Sequence, residues 1–117
     1  MSVQLERDAN ILRGETHMAN IARFILVKAA PDKASEIERL WKQDCGPLMR
    51  KVPGCLREEL LRCVEAPGEF ISVSEWTDQK AIDAYLASPE HQQIKNHTRG
   101  VTGMAATVKT YTVVAAA

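Results

Sequence analysis

The chain has 117 residues, of which 45% are hydrophobic and 26% charged, and its 15 lysines and arginines balance its 15 aspartates and glutamates. This length suits a single domain, and the composition is typical of a globular protein rather than a disordered chain. The balanced charge gives no support for nucleic acid or an anionic membrane as a partner.

No apolar run approaches the roughly 18 to 20 residues that span a bilayer, and the N-terminus lacks the pattern of a secretory signal. We therefore expect a cytoplasmic protein with no membrane partner. The three cysteines, Cys45, Cys55 and Cys63, have no zinc-type spacing and are predicted to be reduced, so no metal site is expected.

Residues 1–18 form an N-terminal extension whose apolar residues recur at helical spacing, which predicts a short helix. Met18 could open a complete domain by itself. The extension is therefore either a leader without function or a helix that docks on a neighbouring chain. We assign the domain to residues 19–117.

The first strand is predicted over residues 20–28. Side chains alternate between the two faces of a strand. One face carries Ala22, Phe24 and Leu26. The other face carries Ile21, Ile25 and Val27. Both faces are apolar, whereas a strand with one solvated face alternates apolar and polar residues, so both need cover.

A helix follows, because Asp32 can cap it and the next apolar residues recur at helical spacing. The apolar stripe comprises Ala34, Ile37, Trp41, Leu48 and Val52. Trp41 is assigned to the core. The Gly46-Pro47 pair is predicted to kink or split the helix.

Residues 55–65 are predicted to form the second strand, joined by a tight turn to the third. The charged residues of this strand are predicted to lie on a solvated or edge face with cross-strand ion pairs. They are Arg57, Glu58, Glu59 and Arg62.

The third strand ends on Trp76 and passes directly into a second helix, which Thr77 or Asp78 can cap. One strand face is predicted to carry Phe70, Ser72, Ser74 and Trp76. A large aromatic residue at such a junction lies where strand face and helix meet, so a pocket is expected there.

Ser88 and Pro89 are typical of a new helix start. On this helix His91, Ile94 and Thr98 share one face, with Lys95 beside it. Residues 99–106 are predicted to be a loop and residues 107–114 the last strand.

The order βαββαβ predicts a ferredoxin-like α+β fold, a four-stranded antiparallel sheet with helices on one face. Nothing in the chain is left to cover the other face. We therefore expect a homodimer in which the two sheets stack into a barrel.

The run from residue 18 to 114 resembles the antibiotic biosynthesis monooxygenase family of dimeric α+β barrels, through ARFILVKAAPDKASEIERLW, PGCLREELLR, GEFISVSEWTDQKAIDAYLASPEH and VKTYTVV in that order. The resemblance implies one pocket per subunit for a small, often aromatic molecule. Several members oxygenate quinols or anthrone-like polyketides with neither metal nor flavin. It therefore implies a monooxygenase with molecular oxygen as co-substrate and no cofactor.

The resemblance also implies roles for individual residues. Trp76 matches a strand-end tryptophan that can donate to a substrate oxygen, although it could equally be a core anchor. Ser72 replaces an asparagine. Lys95 stands roughly where members carry an arginine, and is either a cation for the substrate anion or an exposed lysine. His91 is the candidate base, kept neutral by the nearby Lys95 charge. The substrate-binding set is completed by Tyr85, Phe24 and Ile94.

The haem-degrading relatives use an asparagine, a tryptophan and a histidine where this chain has Ala22, Tyr85 and Lys95. Haem is therefore not expected. Two alternatives to an oxygenase stay open, a small-molecule isomerase and a non-catalytic dimer that binds its ligand, because one fold can carry several chemistries.

Overall fold

The structure is a computed structural model that describes residues 20–98 and 105–117. Its strands are β1 (Ile21–Lys28), β2 (Cys55–Arg62), β3 (Glu69–Trp76) and β4 (Ala105–Thr112). Its helices are α1 (Ala34–Leu40), α2 (Gly46–Met49), α3 (Gln79–Leu86) and α4 (Pro89–Thr98). The predicted helix in residues 1–18 lies outside the described residues.

The strands form one antiparallel sheet in the order β2-β3-β1-β4, which confirms the predicted ferredoxin-like architecture. Several strand ends differ from the prediction by one to three residues. β2 ends at Arg62, before the turn that leads to β3. β4 begins at Ala105, because Ala105 and Ala106, predicted as loop, pair with the last residues of β1.

A 3₁₀ turn (Pro31–Lys33), α1, a π-helical turn (Trp41–Cys45) and α2 follow one another without a break and form the long helical segment. Pro47 has no N–H to donate, and the helix accommodates it through the π turn, in which the Gly46 N–H donates to the Trp41 carbonyl. The predicted disturbance at Gly46-Pro47 is thus a change of helix type.

The core lies between the helices and one face of the sheet, in two clusters. Near the end of β3 the buried residues are Met49, Val52, Trp76, Ile82 and Tyr85. At the other end Val27 and Phe70 pack against Ile37. Gly54 joins the helical layer to β2 with φ +84°, and a Cβ there would come within 2.4 Å of the Ala81 Cβ, so the position requires glycine.

The opposite face of the sheet carries an apolar patch, and no described helix covers it. Phe24 contacts Tyr111 edge to face, with ring centroids 5.3 Å apart, and Leu26 is exposed. This surface, lined by Phe24, Leu26, Val73 and Tyr111, is called the open face below. Among the described helices none is long and apolar enough to cross a membrane.

Candidate functional site

A cavity of about 340 Å³ lies between the sheet and the helices, and its wall is mostly apolar. It is bounded by β1, β2, β3 and β4 on one side and by the helical layer on the other. The polar or ionisable residues that line it are Arg23, Trp41, Cys45, Glu58, Ser72, Ser74, Tyr85, His91, Lys95 and Thr98. A few polar groups in an apolar cavity of this size are typical of a small-molecule site.

Glu58 lies on the sheet wall of this cavity. Its carboxylate accepts a hydrogen bond from Ser72 at 2.5 Å. Burial raises the pKa of Glu58 to about 7, although hydrogen bonds from Ser72 and Trp41 and the charge of Arg23 act in the opposite direction. The predicted solvated position for Glu58 is therefore wrong, because strand alternation turns this side chain inward under the helices.

Arg23 lies on the same inner face and is 9% exposed. Its partner across the strand pair is Ser74, which in turn pairs with Glu58. Burial lowers the pKa of Arg23, while its electrostatic interactions with Tyr85 and Glu58 raise it. The guanidinium remains protonated, because arginine does not lose its proton in proteins. Arg23 therefore supplies a fixed positive charge to the sheet wall.

Trp41 reaches the cavity from the π turn of the long helical segment. Gly46 lies against its ring, and a Cβ at Gly46 would stand 3.0 Å from a ring carbon. The predicted core position is thus incomplete, since Trp41 is half-buried and also lines the site. π turns are frequent at functional sites because they redirect side chains.

His91 lies in the first turn of α4. Its Nδ1 is 3.1 Å from the Leu86 carbonyl oxygen, and its ring packs against Tyr85 at 5.0 Å between centroids. A carbonyl only accepts hydrogen bonds, so we infer that Nδ1 carries the proton and that the neutral ring has its lone pair on Nε2.

The pKa of His91 is lowered chiefly by burial, and the hydrogen bond to Leu86 partly offsets this effect. The positive charges of Lys95 and Arg23 lower the pKa further. The direction agrees with the prediction that His91 stays neutral, but burial has a larger effect than Lys95. The imidazole can therefore accept a proton near neutral pH.

Tyr85 is buried between Trp76 and His91, with its ring 5.4 Å from that of Trp76. Burial raises the pKa of Tyr85 to about 12, so its hydroxyl stays protonated. Tyr85 is at once part of the core and part of the cavity wall.

The structure brings together most of the predicted site. Five of the predicted residues line the cavity, namely Ser72, Tyr85, His91, Ile94 and Lys95. Phe24 does not, because strand alternation places it on the open face with Leu26. Its predicted contact with substrate in this cavity is thus not supported by its position.

Trp76 is fully buried and is not among the residues that line the cavity. Its indole N–H donates to Ser74 Oγ at 2.8 Å, so it is not free to donate to a substrate oxygen. The ring is covered by Tyr85 and Ile82. The predicted direct role for Trp76 is replaced by a structural one, in which Trp76 fixes Ser74 in the sheet wall.

The cavity residues that escaped the sequence analysis as site residues include Arg23, Trp41 and Glu58. Arg23 carried a signal, since it is the one charged residue in the run from Ile21 to Val27 and shares a face with Ile25 and Val27. Within the described ranges, 20–98 and 105–117, no group of three or more His, Cys, Asp or Glu side chains could hold a metal ion.

A family model described as "Antibiotic biosynthesis monooxygenase" matches residues 20–97. A comparison with curated proteins gives no match.

Several solved structures share the fold. A Caulobacter crescentus protein provisionally assigned as an antibiotic biosynthesis monooxygenase is 17% identical, with a TM-score of 0.71, 92% of this chain covered and 99% of that one. A Deinococcus radiodurans protein with the same provisional assignment is 18% identical, with a TM-score of 0.72, 83% of this chain covered and 95% of that one. SnoaB, a cofactor-independent oxygenase from Streptomyces nogalater, is 19% identical, with a TM-score of 0.70, 84% of this chain covered and 96% of that one.

Proposed function

This chain belongs to the antibiotic biosynthesis monooxygenase family, and on that premise we propose that it is a cofactor-independent monooxygenase. Its substrate is a small, electron-rich aromatic molecule of the quinol or polyketide type, and its site is the cavity between sheet and helices. The proposal is supported above all by that cavity, in which an apolar wall surrounds a neutral histidine and fixed positive charge. SnoaB, which shares the fold, is described as a cofactor-independent oxygenase.

The chemistry needs little from the protein. A quinol and dioxygen give a hydroxyquinone and water, so the substrate supplies all four electrons that reduce dioxygen. One oxygen atom enters the ring and the other leaves as water. Deprotonation of the quinol makes it electron-rich enough to pass an electron to dioxygen, and the protein supplies a proton acceptor and a charge that stabilises the anion.

His91 and Lys95 are suited to these two tasks. In this proposal His91 Nε2 accepts the hydroxyl proton, because Nδ1 is engaged by Leu86. Lys95, one helical turn further on, supplies positive charge at the cavity wall for the substrate anion. Trp76 does not contact substrate and holds the sheet wall in place.

We also propose that a second copy of the chain covers the open face. Phe24, Leu26 and Tyr111 are apolar, and Leu26 and Tyr111 are exposed. Stacking two such sheets would bury this surface, as in a sheet-on-sheet barrel. The functional unit is then a homodimer with one cavity in each subunit.

Oxygen uptake tests the proposed activity. Purified protein free of metal and flavin is mixed with a panel of hydroquinones, and the rate is compared with autoxidation. The test variant is His91→Ala. The matched control is His97→Ala on the same helix, whose ring is 3.7 Å from Asp44 and which does not line the cavity.

The proposal predicts that the protein consumes oxygen faster than autoxidation does. His91→Ala should lower this rate by about 10²- to 10⁴-fold, which is the contribution of a positioned general base. His97→Ala should retain the rate. Uptake that never exceeds autoxidation would refute the oxygenase. An isomerase or a binding protein would then be the better account.

A further inference from the structure

A row of polar residues crosses the sheet wall of the cavity. Arg23 on β1 pairs with Ser74 on β3, and Ser74 pairs with Glu58 on β2, so the three side chains lie side by side on the inner face. Adjacent strands are about 4.8 Å apart, so the backbones of Arg23 and Glu58 are separated by about 10 Å. The small Ser74 side chain leaves the space above it open to both long side chains.

Hydrogen bonds hold this row in place. Ser74 Oγ accepts from the Trp76 indole at 2.8 Å and contacts the Arg23 carbonyl oxygen at 3.4 Å. Ser72 Oγ donates a hydrogen bond to the Glu58 carboxylate. The Glu58 carboxylate is thus positioned by Ser72, and the Arg23 side chain lies buried on the same wall.

Arg23 and Glu58 share the row without forming a direct ion pair. The ion pairs among the described residues include neither of them. Burying two charges is costly unless each is compensated. A cation on β1 and a carboxylate on β2, which face one cavity from either side of β3, can both bind one ligand atom placed between them.

We propose that Glu58 and Arg23 bind the hydroxyl group of an aromatic or enolic ligand. The ligand O–H donates its hydrogen to the Glu58 carboxylate, and the Arg23 guanidinium donates to the same ligand oxygen. When the proton moves, the O–H bond breaks, a new O–H bond forms on Glu58, and the phenolate oxygen stays beside Arg23. In a quinol this is the second hydroxyl group, not the one whose proton His91 accepts. No oxidant or reductant is involved in this step.

Several other groups bear on the charge of Glu58. Tyr85, Cys45 and Cys55 are close enough for their pKa values to respond to Glu58. Burial raises the pKa of both thiols to about 11, so they stay neutral. From α4, His91 and Lys95 face the same cavity.

Near pH 7 the positive charges on the sheet wall and on α4 therefore come from Arg23 and Lys95. Glu58, with a pKa of about 7, is the group on the sheet wall that changes charge there.

The pair narrows the substrate class of the proposed function. The preferred ligand carries a free, weakly acidic hydroxyl on a flat apolar body, and the cavity volume, near the lower end of the roughly 300–1,000 Å³ usual for such sites, fits one or two rings. A methyl ether of the same body cannot donate and should bind poorly. This substrate class rests on the proposed oxygenase activity. Binding needs no turnover, however, so it can be measured separately from that activity.

The experiment measures binding of 2-naphthol and of 2-methoxynaphthalene by calorimetry under nitrogen, at pH 6 and pH 8. The naphthol hydroxyl ionises near pH 10, as tyrosine does, and stays protonated throughout. The variants are Glu58→Gln and a matched control, Glu59→Gln, which changes the next residue of β2 on the opposite face. Circular dichroism checks that each variant is folded.

We expect the protein to bind 2-naphthol about tenfold more tightly at pH 8 than at pH 6, since the ionised fraction of a carboxyl with a pKa of about 7 rises from about 0.09 to about 0.91. Glu58→Gln should lose this pH dependence and the preference over the ether. Glu59→Gln should keep both. If Glu58→Gln does not fold, Ser72→Ala replaces it and should move the midpoint to higher pH, because it removes a hydrogen bond that lowers the Glu58 pKa.

Three results would overturn the proposal. They are equal binding of naphthol and ether, retention of the pH dependence in the Glu58 variant, and no binding of 2-naphthol at all. Naphthol binding that depends on Glu58 in a protein without oxygen uptake would leave the hydroxyl site intact and remove only the oxygenase.

Discussion

Glu58 should make the protein less stable as the pH rises. Its pKa is about 7 in the folded protein, against 4.5 for the exposed side chain. The folded state holds the proton more tightly than the unfolded state. The contribution of Glu58 to the free energy of unfolding is therefore fully present below pH 4.5 and is lost as the pH rises toward 7. Between pH 4.5 and pH 8 the loss is about 3 kcal/mol, taking 1.36 kcal/mol for each pKa unit.

Glu58→Gln removes this titration and keeps a similar shape. The free energy of unfolding of the variant, minus that of the native protein, should therefore increase by about 3 kcal/mol between pH 4.5 and pH 8, because only the native protein loses stability. Any constant effect of leaving Arg23 without a carboxylate cancels in this difference.

Urea denaturation at both pH values, followed by circular dichroism, measures the change, and Glu59→Gln serves as the control. A change below about 1 kcal/mol would show that the Glu58 carboxylate is well solvated, and the account of the sheet wall would fail.

Three further changes test other parts of the structure. Lys95→Met should raise the pKa of His91 and shift the acidic limb of the kcat/KM profile to higher pH, and an unchanged limb would separate Lys95 from the imidazole. Trp76→Phe should lower the free energy of unfolding by about 1–3 kcal/mol, since it removes ring contacts and the hydrogen bond to Ser74, while naphthol binding survives in the folded fraction; loss of binding at full stability would restore a direct role for Trp76. Phe24→Glu should convert a dimer into monomers in light scattering, and an unchanged mass would exclude the open face as the dimer interface.

The arrangement of the fold was predictable from the sequence because it depends on local patterns. Alternation over two residues placed Phe70 and Ser72 on the inner face of β3, and the capping residue Asp78 marked the start of α3, where its side chain accepts from the Ala81 N–H. The ends of β2 and β4 were less predictable, since pairing with a neighbouring strand decides them.

The candidate site was predicted only in part, for a physical reason. His91 and Lys95 follow from helical spacing on one element, whereas the Arg23 and Glu58 row is formed by three strands distant in sequence. The sequence does not show which charged residues of β2 face the helices, because this depends on the register of β2 with β3. The orientation of Trp76 depends on how Tyr85 packs above it, which spacing alone does not determine.

The fate of the two oxygen atoms tests the proposed function most directly. The protein, free of metal and flavin, is supplied with a hydroquinone and isotopically labelled dioxygen, and the product is examined by mass spectrometry while peroxide is assayed. The account predicts one labelled oxygen atom in the hydroxyquinone, labelled water and no peroxide, with the label reduced to the background level in His91→Ala. An unlabelled quinone with an equivalent of hydrogen peroxide would instead show an oxidase and contradict the proposed monooxygenase.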